Sequence, residues 1–146
     1  MTAQPVADFN ATHVPQGGKE IACSIVKAFA DAGFGGVQQL VALANAIAES
    51  NLNPDAMTAP PDESVGLFQL NRAGGLGAGH TVDELRDPNV NIDIMVAAAL
   101  KFQAFADAKS LQDAVSIFVR TLMRPANPES EVISRLKIAE QLALTN

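Results

Sequence analysis

The chain has 146 residues, 48% of them hydrophobic and 18% charged, the balance of a single globular domain spanning 1–146 with a real core. Its net charge of −6 and pI near 4.7 argue against a nucleic-acid partner or an anionic membrane surface, and no run of about 18 apolar residues is present that would insert into a bilayer. Cys23 is the only cysteine, which excludes an intramolecular disulfide and a cysteine-cluster metal site; it falls on an apolar helical face and is read as a buried core thiol.

Residues 1–17 show no clear period and hold Pro5, Pro15 and Gly17. They read as a lead-in strap pinned by Val6, Phe9 and Val14. The opening MTAQPVADFNATH lacks the basic and apolar regions of a secretory signal. A first helix is predicted over 19–32 from Ile21, Ile25, Val26 and Phe29, ended by Gly33, Gly35 and Gly36. A second, over 37–50, carries Val37, Leu40, Val41, Ala44, Ile47 and Ala48, a face broad enough for a central helix. Residues 51–80 follow as a long irregular connection, and such a length inside a domain points to function. Within it, Val65 to Leu70 fits either a strand or a buried helical turn. The glycine-rich Ala73 to His80 lacks the lysine and the flanking elements of a phosphate loop and reads as a flexible rim.

Thr81 and Glu84 have the spacing of a capping box, and Asp87-Pro88 opens a long helix that frays only near 106–109. Ile92, Met95, Val96, Ala99 and Leu100 form its apolar side. Ser110 caps a further helix to about Met123, with Leu111, Val115, Phe118, Val119 and Leu122 inward. After the break at 124–128, a last helix over 129–144 is predicted to bury Val132, Ile133, Leu136, Ala139 and Leu142, with its charges in solvent. The whole is mainly α, with one small irregular β-like lobe between the second helix and the long one.

Glu49 is the residue with chemistry. It ends the second helix, where unpaired carbonyls carry partial negative charge, and Ala46, Ile47 and Ala48 precede it. Both surroundings disfavour the ionised form and are expected to raise its pKa, as a general acid for glycosidic cleavage requires. The competing reading is a solvated glutamate at a helix end.

The blocks Ala48-Glu49-Ser50-Asn51-Leu52-Asn53-Pro54-Asp55-Ala56 and Ser64-Val65-Gly66-Leu67-Phe68-Gln69-Leu70-Asn71 resemble the signature of the lysozyme-like superfamily, in its branch of soluble lytic transglycosylases and goose-type lysozymes. Leu85 to Ile92 resembles that family's usual opening of the next helix. Phe118 to Asn127 is similar to a segment of bacteriophage tail and endolysin muramidases. The resemblance implies a lysozyme-like fold and bacterial peptidoglycan as substrate. It also implies a bacteriophage setting: a partnership with tail or virion proteins, in the virion or in host cytoplasm with release to the wall. Glu49 falls on the catalytic acid, and Ser50 on a residue shaping the site beside it. Ser64, Gly66, Leu67, Phe68, Gln69 and Asn71 fall on the substrate-binding segment. Gln69 is suited to an acetamido group because it offers both donor and acceptor. No metal or organic cofactor is implied.

The second carboxylate is open at this level. Glu63 sits closest to the glycine block and Asp62 is next, both in the loop where goose-type enzymes carry an acidic residue; Asn71 stands where some of them have an Asp. A carboxylate that orients water gives a hydrolysing muramidase, the expected activity. With Glu49 alone, the same site gives a lytic transglycosylase, and without catalysis a glycan-binding or structural module. The absence of Trp and Tyr removes the rings most used as sugar platforms.

Overall fold

The computed structural model describes residues 7–61 and 63–143; Val6 and Asp62 lie outside them. Helix α1 (Lys19–Asp31) buries Ala22, Ile25, Val26, Phe29 and Ala30. Cys23 stands one position off that stripe and is exposed, a correction to its reading as a core thiol. Helix α2 (Gly36–Ser50) is the centre of the fold, with every residue from Gln38 to Ala46 buried. It packs against α1, against α6 (Leu111–Phe118) and against α7 (Pro128–Ala143). Burial on all sides explains its many alanines, since small side chains let three helices approach one axis.

Two glutamines resolve the polar needs of this crowded helix. Gln38 Nε2 reaches the carbonyls of Phe105 (2.9 Å) and Ala108 (2.7 Å), and Gln39 Nε2 donates to the Phe34 carbonyl (2.8 Å). The lead-in forms a single 3₁₀ turn at Ala11–His13 and is tied to α7 by the Asn10 N–H, which donates to the Leu142 carbonyl at 2.8 Å. Phe9 and Val14 pack on the core as expected.

The lobe after α2 contains a minimal hairpin. β1 (Ser64–Val65) pairs antiparallel with β2 (Leu70–Asn71), Ser64 opposite Asn71 and Val65 opposite Leu70. Val65 to Leu70 is therefore a turn between two short strands rather than one strand or one helical turn. Helix α3 (Val82–Arg86) opens with the expected capping box: Thr81 Oγ1 accepts from Glu84 N–H, and the Glu84 carboxylate accepts from Thr81 N–H. Asp87 then caps α4 (Pro88–Ala99), with Pro88 in its first turn.

The long helix expected from Pro88 stops early. α4 ends at Ala99, and α5 (Gln103–Asp107) starts after a break in which Phe102 is extended (φ −116°, ψ 93°). The break changes which phenylalanine enters the core: Phe105 is buried and Phe102 stays half-buried. Phe105 joins a chain of rings, with centroids 5.5 Å apart for Phe29–Phe34, 5.3 Å for Phe34–Phe105, 5.2 Å for Phe105–Phe118 and 6.4 Å for Phe118–Phe68. These contacts run from α1 to the hairpin turn, and tilted ring pairs add to plain burial. Beyond α6, the chain makes a single π turn (Val119–Met123) that ends at Arg124 in the left-handed region (φ 45°).

The last helix differs from its expected pattern. Ile133 is exposed, Val132 and Leu136 are half-buried, and the buried positions are Ala139, Leu142 and Arg135.

Candidate active site

Glu49 lies in the last turn of α2. Asn51 adopts the left-handed conformation (φ 54°), its N–H bonding the Ile47 carbonyl at 2.8 Å, and so ends the helix. Asparagine tolerates that region better than most residues, and Pro54 keeps Asn53 out of the helical one. Ala48 is exposed, so the shielding of Glu49 does not come from its neighbours in sequence. It comes from α7. The Arg135 guanidinium donates through Nη2 to Oε2 of Glu49 and through Nη1 to Oε2 of Glu131. Glu49 Oε1 accepts no hydrogen bond among the described residues. The clamp therefore fixes one carboxyl oxygen and leaves the other for a ligand.

Arg135 is a residue that the sequence reading missed. Its side chain is 7% exposed and that of Glu49 22%. Removing one partner of a fully buried pair costs roughly 3–5 kcal/mol, because a charge is left desolvated and unpaired. With both carboxylates still touching solvent, Arg135→Met is expected to lose about 2 kcal/mol, read from the midpoint of urea unfolding. An unchanged midpoint would mean that Arg135 contributes nothing at this junction.

Ser50, expected to shape the site, is buried. Its Oγ lies 3.0 Å from the Ala46 carbonyl and 2.8 Å from that of Leu67, which fastens the end of α2 to the hairpin turn. Asn91 of α4 holds the same turn from the other side. Its Nδ2 donates to Val65 O (3.0 Å) and Leu85 O (2.9 Å), and its Oδ1 accepts from Phe68 N–H (3.0 Å). Gly66 (φ 81°) passes so close that an added Cβ would lie 2.3 Å from Asn91 Nδ2 and 2.4 Å from Leu85 O. Gly66 and Leu67, expected on the cleft wall, are thus core residues that shape the wall from behind; Leu67 is fully buried. Ser64 belongs to β1, its N–H donating to Thr58 Oγ1 at 2.8 Å.

The wall itself is made by Gln69 and Asn71, with Phe68 and Leu70 buried beneath them. With the glycine-rich segment at Ala73–Leu76, Met95, Ala98, Lys101, Phe102 and residues 121–124, they line a groove of about 660 Å³. Glu49 is not in the lining of this groove; the contact of its neighbour Ser50 with Leu67 ties the end of α2 to the turn that leads into the groove segment. Phe102, half-buried at the break between α4 and α5, offers a phenyl face in a chain without Trp or Tyr.

Gln69 does not present its whole amide to the groove. Its Nε2 donates to the Ala56 and Gly66 carbonyls, both at 2.9 Å, which braces the loop against the hairpin. Its Oε1 accepts no hydrogen bond among the described residues and can take an N–H from a ligand. Gln69 (φ 49°) and Glu63 (φ 42°) both occupy the left-handed region, as do Asn51, Leu52 and Arg124. Such conformations cost roughly 1–3 kcal/mol each and persist where the surroundings over-determine them, which is common at functional sites.

Glu63 has a partner. Its Oε1 is paired with Arg72 Nη1, and Arg72 Nε donates to the His80 carbonyl at 2.8 Å. The pair clasps the loop before β1 to the glycine-rich segment after β2. Asp62 lies outside the described residues.

A family model of the lysozyme-like domain matches residues 26–105, more than half of the chain. The chain belongs to the lysozyme-like domain family. The match starts within α1 and runs through α2, the hairpin, α3, α4 and the first part of α5, so it includes Glu49, Gln69 and Asn91. Its mainly helical architecture with one small antiparallel hairpin is that of the family. This lysozyme-like domain is therefore of a family that acts on peptidoglycan as lysozymes or lytic transglycosylases. Comparisons with curated proteins and with solved structures returned no match. Arg124 and Arg135 lie outside the matched residues, and Lys101 lies within them.

Proposed function

We propose that this lysozyme-like domain cleaves the β-1,4 bond between N-acetylmuramic acid and N-acetylglucosamine in peptidoglycan, with Glu49 as general acid and with formation of 1,6-anhydromuramyl ends. The observation that carries the reading is the clamped Glu49 carboxyl, one oxygen held by Arg135 and the other without a hydrogen bond among the described residues, at the end of the helix that Ser50 fastens to the turn leading into the groove segment with Gln69 and Asn71. A proton from Glu49 passes to the glycosidic oxygen as the C1–O bond breaks. The C6 hydroxyl of the same muramic acid attacks C1, and its proton goes to the Glu49 carboxylate, which restores the acid. Negative charge that builds on Glu49 during the first transfer develops beside a guanidinium already in place, and preorganised charge of this kind lowers the barrier. Intramolecular attack needs no bound water and no second base.

Hydrolysis was the expectation from sequence, and the Glu63–Arg72 pair turns the preference away from it. That carboxylate has a structural task in holding its loop. Hydrolysis stays as the second reading because only Oε1 of Glu63 is engaged and its side chain is 26% exposed, so Oε2 can meet a water. Mass spectrometry of fragments released from purified peptidoglycan separates the two. Fragments one water lighter than reducing ends are expected to dominate; a spectrum of reducing muramic ends, lost in Glu63→Gln, would establish the hydrolase instead.

A further inference from the structure

The charge of the groove runs against that of the chain. Asp and Glu number 16 against 10 Lys and Arg, yet the groove lining contains no carboxylate among the described residues and two cations, Lys101 and Arg124. Both are exposed, and neither takes part in an ion pair or side-chain hydrogen bond among the described residues. The other arginines near the site have partners: Arg72 holds Glu63, and Arg135 holds Glu49 and Glu131. Lys101 and Arg124 also sit where the backbone leaves regular helix. Lys101 lies in the break between α4 and α5, and Arg124 is the left-handed residue that ends the π turn. A concave wall of one sign focuses its field and gathers ligands of the opposite sign.

We infer that Lys101 and Arg124 bind a carboxylate carried on the 3-position of muramic acid, so that the groove selects acidic glycan over a neutral N-acetylglucosamine polymer. This rests on the glycan-cleavage reading above and names the part of the substrate that the groove reads. Two sources present that chemistry: the lactyl carboxylate of muramic acid once its peptide is removed, and the carboxylates of the stem peptide. N-acetylglucosamine has neither. Phe102, half-buried in the apolar part of the lining, suits a sugar face between the charged contacts.

The test compares kcat/KM for fragment release from native peptidoglycan and from the same material with its carboxylates capped as methylamides by carbodiimide. The full chain is used, at low salt. The same two materials are also prepared from peptidoglycan stripped of its peptides by an amidase, and a preference of about tenfold for uncapped over capped material is expected in at least one of the two pairs from two exposed charge contacts, shrinking as salt screens them. In the double variant Lys101→Gln/Arg124→Gln, the ratio should fall to about one, since two charge contacts are all that produced it. The pair that shows the preference identifies the source: in native material the lactyl group is in amide linkage, so a preference there assigns the stem peptide, and one that appears only after stripping assigns the lactyl carboxylate. Equal rates within both pairs, or a preference that survives in the double variant, overturn the carboxylate recognition while leaving glycan cleavage intact. Release from none of these materials overturns the glycan-cleavage reading and this inference with it.

Discussion

Glu49→Gln is expected to leave a folded protein that no longer cleaves peptidoglycan. The amide keeps the volume of the side chain and a carbonyl oxygen for Arg135 Nη2, so the junction of α2 and α7 retains a hydrogen bond. What is lost is the transferable proton. General acid catalysis contributes typically about 10²–10⁴ in rate, and in the proposed cycle the same group also takes the proton of the attacking hydroxyl, so both halves suffer. Turbidity of a peptidoglycan suspension measures the loss, and far-ultraviolet circular dichroism verifies the fold. Activity equal to the parent in a folded Glu49→Gln variant would remove this residue from the chemistry.

The largest expected loss of stability is in Gly66→Ala. The position needs φ 81°, which costs a non-glycine residue roughly 1–2 kcal/mol. The new methyl would also lie within 2.4 Å of Asn91 Nδ2 and of the Leu85 carbonyl, and one of these is backbone that cannot swing aside. Displacing Asn91 breaks bonds to Val65, Leu85 and Phe68 that hold the hairpin turn on α4. Overpacking and stranded polar atoms together bring the total to about 4 kcal/mol. For a domain of this size that is a fall of about 10 °C in Tm, measurable by calorimetry. A variant melting within a degree of the parent would mean that the turn has room the structure does not show. Activity should fall too, because the turn leads directly into Gln69 of the groove wall.

The helices were legible because their apolar residues recur at helical spacing and their ends carry ordinary signals: the Thr81–Glu84 box, the Asp87-Pro88 start and the Ser110 cap all form as read. Glu49 and the segment around Gly66 were singled out through the resemblance of two linked blocks, but that the segment folds as a hairpin turn was not legible in its six residues. The residues that were missed share one feature. Arg135 stands on the stripe with Ala139 and Leu142, and Asn91 stands on the stripe with Met95 and Ala98. Each is a polar residue at a position that periodicity assigns to the core. Reading the charges of α7 as solvated overlooked that placement, and it also made Ile133 a core residue when the true stripe passes beside it. A polar residue in register with a buried stripe must have partners, and here those partners are the catalytic candidate and the turn of the groove wall.

The break after Ala99 was not legible for a different reason. Both Phe102 and Phe105 are apolar and either continues some helical face; only the three-dimensional chain of rings through Phe34 and Phe118 decides which one enters. The contact that clasps Glu63 to Arg72 is likewise a product of two loops brought together by the hairpin, nine positions apart with no period to announce it.

The Glu49–Arg135 pair joins positions 86 residues apart in the chain. A ribosome delivers the N-terminal part first, so α1, α2 and the hairpin can gather while α7 is still unmade. Until residue 135 has emerged and docked, Glu49 has no clamp and its helix has no cover on that side. A partly synthesised chain, or one clipped within residues 124–128, would carry the acid and the groove wall without the guanidinium that orients them. The clamp on Glu49 is thus complete only after α7 has been made and has docked.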